Sequence, residues 1–461
     1  MSLHQLQSDQ RRLALHAQRR SLFWRIHFWA ALIASPFALV ATLTGILYIF
    51  TPQIEQVLYG HLDQVVATGQ MRSLDELIVA AQADAPAGLA LHSVVPPFAP
   101  TDALRVTFAP QGRSASGHEG HQHGAVKLAT PAAPVRPAFG APAKAVLVHI
   151  NPYSGAVLGS LAGQDRFGNW SKKLHSRLLQ SDNWRWMIEL AASWLMVMLL
   201  TGVCLWWPRA WANVLPSGSA RGRTAWKQWH AFLGVALGLM SLVILTTGLT
   251  WSKYAGEQIR TVRDVSGQAS PPVPHGLNSV APQGSAPLGW QAVWDVARAR
   301  SPQVALLLTP PRDASGTWKI GAADRGQPAK RFDLLLDAYS GAPLYYAGWD
   351  RQTMFGKATA IGIPFHRGEF GWWNQALLLV FGLGIVFSLV SGWVMYFKRR
   401  KPGCWSLPPL PAQAWRAPSV AAWLSALALC ALLPLLALSA ALLVLIELAL
   451  LHAPGQAKPG D

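Results

Sequence analysis

The sequence predicts a membrane α-helical bundle of four core spans plus one extra, carrying two α+β domains and built as a tandem repeat. Three observations predict it. Hydrophobic residues make up 51% of the 461 positions and charged residues 13%, against roughly 25% charged in soluble domains. Five apolar runs reach the length of about 20 residues that crosses a bilayer. The chain also aligns on itself, element by element.

The runs are Phe28–Phe50, Met187–Trp207, Ala231–Trp251, Trp373–Phe397 and Val420–Leu451. The last is over-long and holds Pro434, so one tilted or kinked helix is expected there. Net charge is +17, and the cations flank the spans: Arg11, Arg12, Arg19, Arg20 and Arg25 before the first, Arg209, Arg221, Arg223 and Lys227 between the second and third, and Lys398, Arg399, Arg400 and Lys401 after the fourth. Such flanks mark cytoplasmic segments. Residues 1–26, 208–229 and 398–419 are therefore expected in the cytoplasm, and 51–186 and 252–372 on the other side, which is the periplasm in a bacterial inner membrane. A tail, 452–461, follows the fifth span. No compact basic face is visible, so no nucleic-acid partner is expected. The first apolar run is too long and starts too late for a cleaved signal. Cys204 and Cys430 lie within apolar spans and Cys404 in a basic stretch, so no disulfide framework is implied.

The repeat orders the rest. His27 precedes Gly45 of a Thr-Gly pair by 18 positions, and His230 precedes Gly248 of another by the same 18. "VLVHINPYSGAVLG" (Val146–Gly159) matches "FDLLLDAYSGAPLY" (Phe332–Tyr345), each a strand, a Tyr-Ser-Gly turn and a strand. Asp165-Arg166 and Asp350-Arg351 follow, then His175 and His366 ahead of the next spans. Spans two and four end alike in Thr201-Gly202 and Ser391-Gly392. The halves run over about 20–215 and 223–401 as parallel repeats, related by an axis along the membrane normal.

Topology puts His27 and His230 at one boundary and His175 and His366 at the other. Two opposed neutral imidazoles at one depth are what a six-coordinate haem iron requires, giving one b-type haem per layer. The bland alternative is four interfacial anchors. Covalent haem attachment is excluded, since no C-x-x-C-H occurs. Two histidines without thiolate or carboxylate neighbours suit zinc poorly. Eighteen helical residues rise about 27 Å, so Gly45 and Gly248 fall near the opposite layer, as do Gly202 and Gly392. Small residues there admit either a flat macrocycle or a second helix. Arg25, Lys227, Arg177 and Arg367 beside the histidines would bind haem propionates or serve as headgroup anchors. The segment 109–144 is an Ala/Pro/Gly/His insertion whose "HEGHQHG" supplies His118, His121 and His123, either a metal trap or low-complexity loop. No G-x-G-x-x-G opens a helix after a strand, so no flavin or nicotinamide site is expected in this chain.

Taken in order, "WRIHFW" with His27, "KLHSRLL" with His175, "WKQWHAFLG" with His230, "PFHRGEFG" with His366 and the paired "NPYSGAVLG" and "DAYSGAPLY" resemble the PepSY-associated membrane helix family. That family includes iron-regulated inner-membrane proteins and FoxB-like siderophore reductases. The resemblance covers about 20–401 and implies a haem-bearing core, PepSY-type periplasmic domains and reduction of ferric-siderophore iron. The four histidines are the positions onto which the ligand role carries. The fifth span and the insertion depart from the family pattern. Electrons would come from quinol or a separate reductase. The competing expectation is a non-enzymatic anchored module binding a peptide, protease or partner protein.

Overall fold

The computed structural model describes residues 3–110, 144–207, 214–274, 276–324, 326–400 and 407–452. In chain order the elements are α1 (Leu3–Ile49), α2 (Thr51–Asp63), α3 (Leu74–Ala83), β1 (Leu89–Val95), β2 (Leu104–Pro110), β3 (Val146–Ile150), β4 (Val157–Ala162), α4 (Phe167–Arg177), α5 (Trp186–Trp206), α6 (Gly222–Ala236), α7 (Gly238–Leu249), α8 (Tyr254–Val265), α9 (Trp290–Arg300), β5 (Leu306–Thr309), β6 (Trp318–Ala322), β7 (Asp333–Leu336), β8 (Pro343–Ala347), α10 (Met354–His366), α11 (Trp372–Arg399), α12 (Val420–Leu432) and α13 (Pro434–His452). They form two compact units. A helical unit comprises Met1–Ile46, Leu174–Ser266 and Ala376–Asp461, and a sheet unit comprises Leu47–Lys173 and Gly267–Gln375.

Among the described residues of the helical unit, three helices are long and apolar enough to cross a membrane: Asp9–Ile49, Asp182–Trp206 and Trp372–Arg399. The pair α6 and α7 makes a fourth when counted as one span, bent by 56°. The bend falls at Leu237, whose side chain occupies the space where a Cβ on Gly384 of α11 would stand. Ala30, Ala34 and Ala38 of α1 are buried, the small surface that lets neighbouring helices approach closely. Trp186, Trp207, Trp251 and Trp372 are exposed at ends of these apolar helices, as amphipathic rings are at a membrane interface.

One element is longer than expected and one expectation changes. The helix that carries the first span starts well before it: α1 is one helix of 47 residues from Leu3. Its early Arg, Gln, Leu and Ala residues favour helix without adding to an apolar run. The fifth stretch is not one kinked helix. It divides at Leu433, whose φ of −120° and ψ of 85° leave the helical region, and Pro434 opens α13. Leu433 itself is buried with Ala30, Ala34, Trp194, Leu249 and Leu436. A residue before proline is pushed out of the α region, so the break follows from the sequence locally.

In the sheet unit, the two expected domains merge into one eight-stranded sheet of order β4-β3-β2-β1-β5-β6-β7-β8. The first strand of each half joins them, β1 and β5 pairing antiparallel with Val94 opposite Leu308. Strand alternation sends Val94, Val106, Phe108, Val148, Leu308, Ile320 and Leu334 to one face. That face packs on α3 through Leu77 and Ile78 and on α9 through Val293 and Ala297. Both Tyr-Ser-Gly turns use one device. Asn151 Oδ1 accepts from the backbone N–H groups of Tyr153 and Ser154, and Asp337 Oδ1 from those of Tyr339 and Ser340. Gly155 and Gly341 then take φ of 78° and 69°, which glycine adopts without Cβ strain.

The other face of β3 carries His149, which is fully buried. Its Nε2 lies 3.2 Å from Asp63 Oδ1 at the end of α2, close but without the alignment of a full hydrogen bond. Arg166 donates to Asp63 Oδ2 at 2.6 Å and lies 3.4 Å from Glu55. Burial alone would raise the Asp63 carboxyl, but the His149 and Arg166 contacts outweigh it and bring it down to about 2. On β7, Asp333 has no such cation among the described residues, and burial pushes its carboxyl up to about 6.

Candidate functional site

His27 on α1 and His230 on α6 approach each other inside the helical unit. Their ring centres are 6.3 Å apart and the planes are nearly perpendicular, at 86°. His27 Nδ1 lies 3.1 Å from the Met198 carbonyl oxygen and 3.1 Å from Thr201 Oγ1. His230 Nδ1 lies 2.9 Å from the Ser388 carbonyl oxygen and 3.0 Å from Ser391 Oγ. A carbonyl only accepts, so each Nδ1 carries the proton and donates it. Each Nε2 is left with a lone pair.

The separation of the ring centres, 6.3 Å, matches that of two imidazoles on opposite sides of one metal. A metal held by both needs about 2.0 Å to each nitrogen and about 1.1 Å more to each ring centre, hence centres about 6.2 Å apart. A hydrogen bond from the far ring nitrogen to a carbonyl is the usual outer support of a ligating histidine. Haem needs the same two axial nitrogens, so His27 and His230 fit that group.

Three of the four glycines stand against an imidazole. A Cβ on Gly202 would stand 3.3 Å from His27 Cε1, one on Gly392 3.6 Å from His230 Cε1, and one on Gly45 3.4 Å from His175 Cε1. Each glycine makes room for the edge of an imidazole presented by another helix. The preceding hydroxyl does bond back to its own helix: Thr201 to the Val197 and Met198 carbonyls, Ser391 to that of Ser388, Thr44 to those of Val40 and Ala41. Thr247, before Gly248, does likewise with Val243 and Ile244.

His175, on α4, lies 3.2 Å from Thr44 Oγ1 through Nδ1, and its ring also hydrogen-bonds the Ala41 backbone. It thus sits on α1 as His27 sits on α5. His366 is the last residue of α10 and belongs to the sheet unit.

The four cations divide. Arg25 is buried and committed: Nε donates to Glu447 Oε1 at 2.8 Å, Nη2 to Oε2 at 3.0 Å and Nη1 to the Pro408 carbonyl at 2.6 Å. Trp29 Nε1 donates to the same Glu447 carboxylate. Arg25 is therefore a tie between α1 and α13 rather than a cation awaiting a propionate. Arg177 pairs with Asp182, and Arg367 with Glu369 at 2.9 Å and with Tyr48 Oη at 2.8 Å. Lys227 is exposed on α6. His118, His121 and His123 lie outside the described residues.

Sequence reasoning missed Glu447 and Glu189. A lone acid inside an apolar run is the signal that finds both, since such a charge must have a partner. Glu189 is buried in α5 and accepts from the Tyr254 and Ala255 backbone N–H groups, closing the start of α8.

A search of curated proteins finds no match to this chain. A family model described as the PepSY-associated TM region matches residues 24–399, a span that holds every histidine and glycine discussed above. With most of its length matched, this membrane protein belongs to the PepSY-associated TM family.

Proposed function

We propose that the protein is an electron conduit of the bacterial inner membrane, with its N-terminus in the cytoplasm, and that it binds haem b between His27 and His230. The observation that carries the reading is the pair of Nδ1-anchored imidazoles with centres 6.3 Å apart. Haem, when bound, supplies a one-electron couple. His27 and His230 would hold it, each ring supported in turn by a carbonyl and a hydroxyl oxygen, and the apolar helices around them would exclude water. By the register of the repeat, the reading extends to a second haem with His175 and His366 as ligands.

The acceptor is a periplasmic ferric chelate, a ferric siderophore in iron acquisition, because reduction to Fe(II) loosens a hard oxygen chelate. The donor is quinol or a separate reductase, in keeping with the lack of a nucleotide-binding fingerprint in the sequence. Purified full-length protein should show b-type haem bands on reduction and a pyridine haemochrome stoichiometry near two. His230→Ala should lose one haem and ferric-chelate reduction together. Wild-type protein that takes up no haem even after reconstitution overturns the reading. If His230→Ala leaves every activity intact, the chain is instead an anchored module that binds a peptide, protease or partner protein.

A further inference from the structure

Three imidazoles in the helical unit rest on the same piece of backbone. His27 meets Met198, Thr201 and Gly202; His230 meets Ser388, Ser391 and Gly392; His175 meets Ala41, Thr44 and Gly45. In each, the carbonyl comes from three positions before the hydroxyl residue, and the glycine follows it directly. A helical turn explains the spacing. The hydroxyl of residue i folds back onto the carbonyl of i−3, so two oxygens stand side by side on one face. Thr201 Oγ1 is 3.2 Å from the Met198 oxygen, Ser391 Oγ 2.9 Å from that of Ser388, and Thr44 Oγ1 3.1 Å from that of Ala41.

The hydroxyl has one proton, and it already points at its own helix. Toward the imidazole it can only accept. Both oxygens therefore demand a proton on Nδ1, and the glycine lets the ring come close enough to supply it. We propose that this hydroxyl-glycine turn is a tautomer-setting cradle, and that Thr201 and Ser391 are positioning residues that leave Nε2 of His27 and of His230 with its lone pair for a metal. The inference rests on the haem reading for its ligand, and on the geometry of the chain alone for the tautomer.

The test uses the full chain with 15N-labelled histidine in lipid nanodiscs, first without haem, with His27→Gln and His230→Gln assigning the signals. Nitrogen NMR should show Nδ1 protonated and Nε2 bare for both rings in the wild type. In the Thr201→Val and Ser391→Ala double variant, the population with Nε2 protonated should rise. In a haemin titration the double variant should bind about 10- to 100-fold more weakly, and its bound haem should have a higher reduction potential, because a ring without that support is a poorer electron donor. The double variant with Thr201→Ser in place of Thr201→Val should recover affinity. The cradle is overturned if Thr201→Val and Ser391→Ala leave tautomer and affinity unchanged, or if Thr201→Ser does as much damage as Thr201→Val. Should the wild type show the Nδ1-protonated rings yet take up no haemin, the haem reading fails and the cradle stands.

Discussion

The helix that follows the first span and the helix that follows the third occupy equivalent places in the repeat and have gone different ways. Helix α2 packs on β3 and β4, and α8 packs on α5, α12 and α13. The first uses a polar stripe: Glu55, Tyr59 and Asp63 recur every four residues and gather around Arg166. The second buries Ala255 and packs Ile259 beside Leu433 and Leu436, with Glu189 holding its first turn. Strands β3 and β7 show the same divergence in miniature. Position 149 is His where its counterpart 335 is Leu, and position 147 is Leu where its counterpart 333 is Asp. Duplicated segments keep their backbone while their side chains adapt to whatever neighbour each acquired. The extra helices gave α8 an apolar partner that α2 does not have.

The strongest way to break that comparison is to detach α13. Arg25→Ala should leave Glu447 buried without a cation, at a cost of about 3–5 kcal/mol. Chemical denaturation should show the loss, and hydrogen exchange should rise in α8 while α2 stays protected. Equal loosening of both helices would contradict the argument.

A smaller effect should come from β7. The folded Asp333 carboxyl titrates at about 6, above its unfolded value of about 3.9. Its contribution is therefore fully present below the unfolded value and lost as pH rises through about 6. Asp333→Asn should remove that loss, stabilising the protein at pH 7–8 by on the order of 1–3 kcal/mol and flattening the stability profile between pH 4 and 6, roughly the window the shift spans. Thermal melts across pH check it.

The smallest effect should follow from giving β3 the residue that β7 carries. His149→Leu should change stability at pH 7 by no more than about 1 kcal/mol, because the ring makes no well-aligned hydrogen bond to lose. Its trace should appear in acid. Asp63 is depressed to about 2 in the folded protein, so its contribution is present above its unfolded value and lost as pH falls through about 2. Without His149 that loss should begin at higher pH, which acid-unfolding curves would show.

Much of this was legible in the sequence where the signal is local or periodic. The strand, Tyr-Ser-Gly turn and strand follow from alternation and from glycine's freedom at φ above zero. The 18-residue step from His27 to Gly45 runs along the single helix α1, and Gly45 stands against an imidazole of another helix. The rest depends on contacts between distant residues. No pattern in Leu89–Val95 announces that it pairs with Leu306–Thr309, more than 200 positions away by the element ranges. The basic start of α1 has no apolar period to read. Arg25 looked like a cation beside a histidine because Glu447, its partner, lies 422 positions further on.

The seam between β1 and β5 bears on how the molecule arose. A single ancestral half would have ended in an open strand edge, with amide and carbonyl groups ready for another chain. It would also have supplied only one of the two imidazoles that meet as His27 and His230. Two identical subunits meeting edge to edge around a twofold axis would have paired that edge. Joining two such copies in one chain would make the encounter intramolecular, independent of how dilute the protein is in its membrane. Freed from identity, the two subunits' descendants could then specialise, one keeping its polar clasp and the other recruiting a new pair of helices.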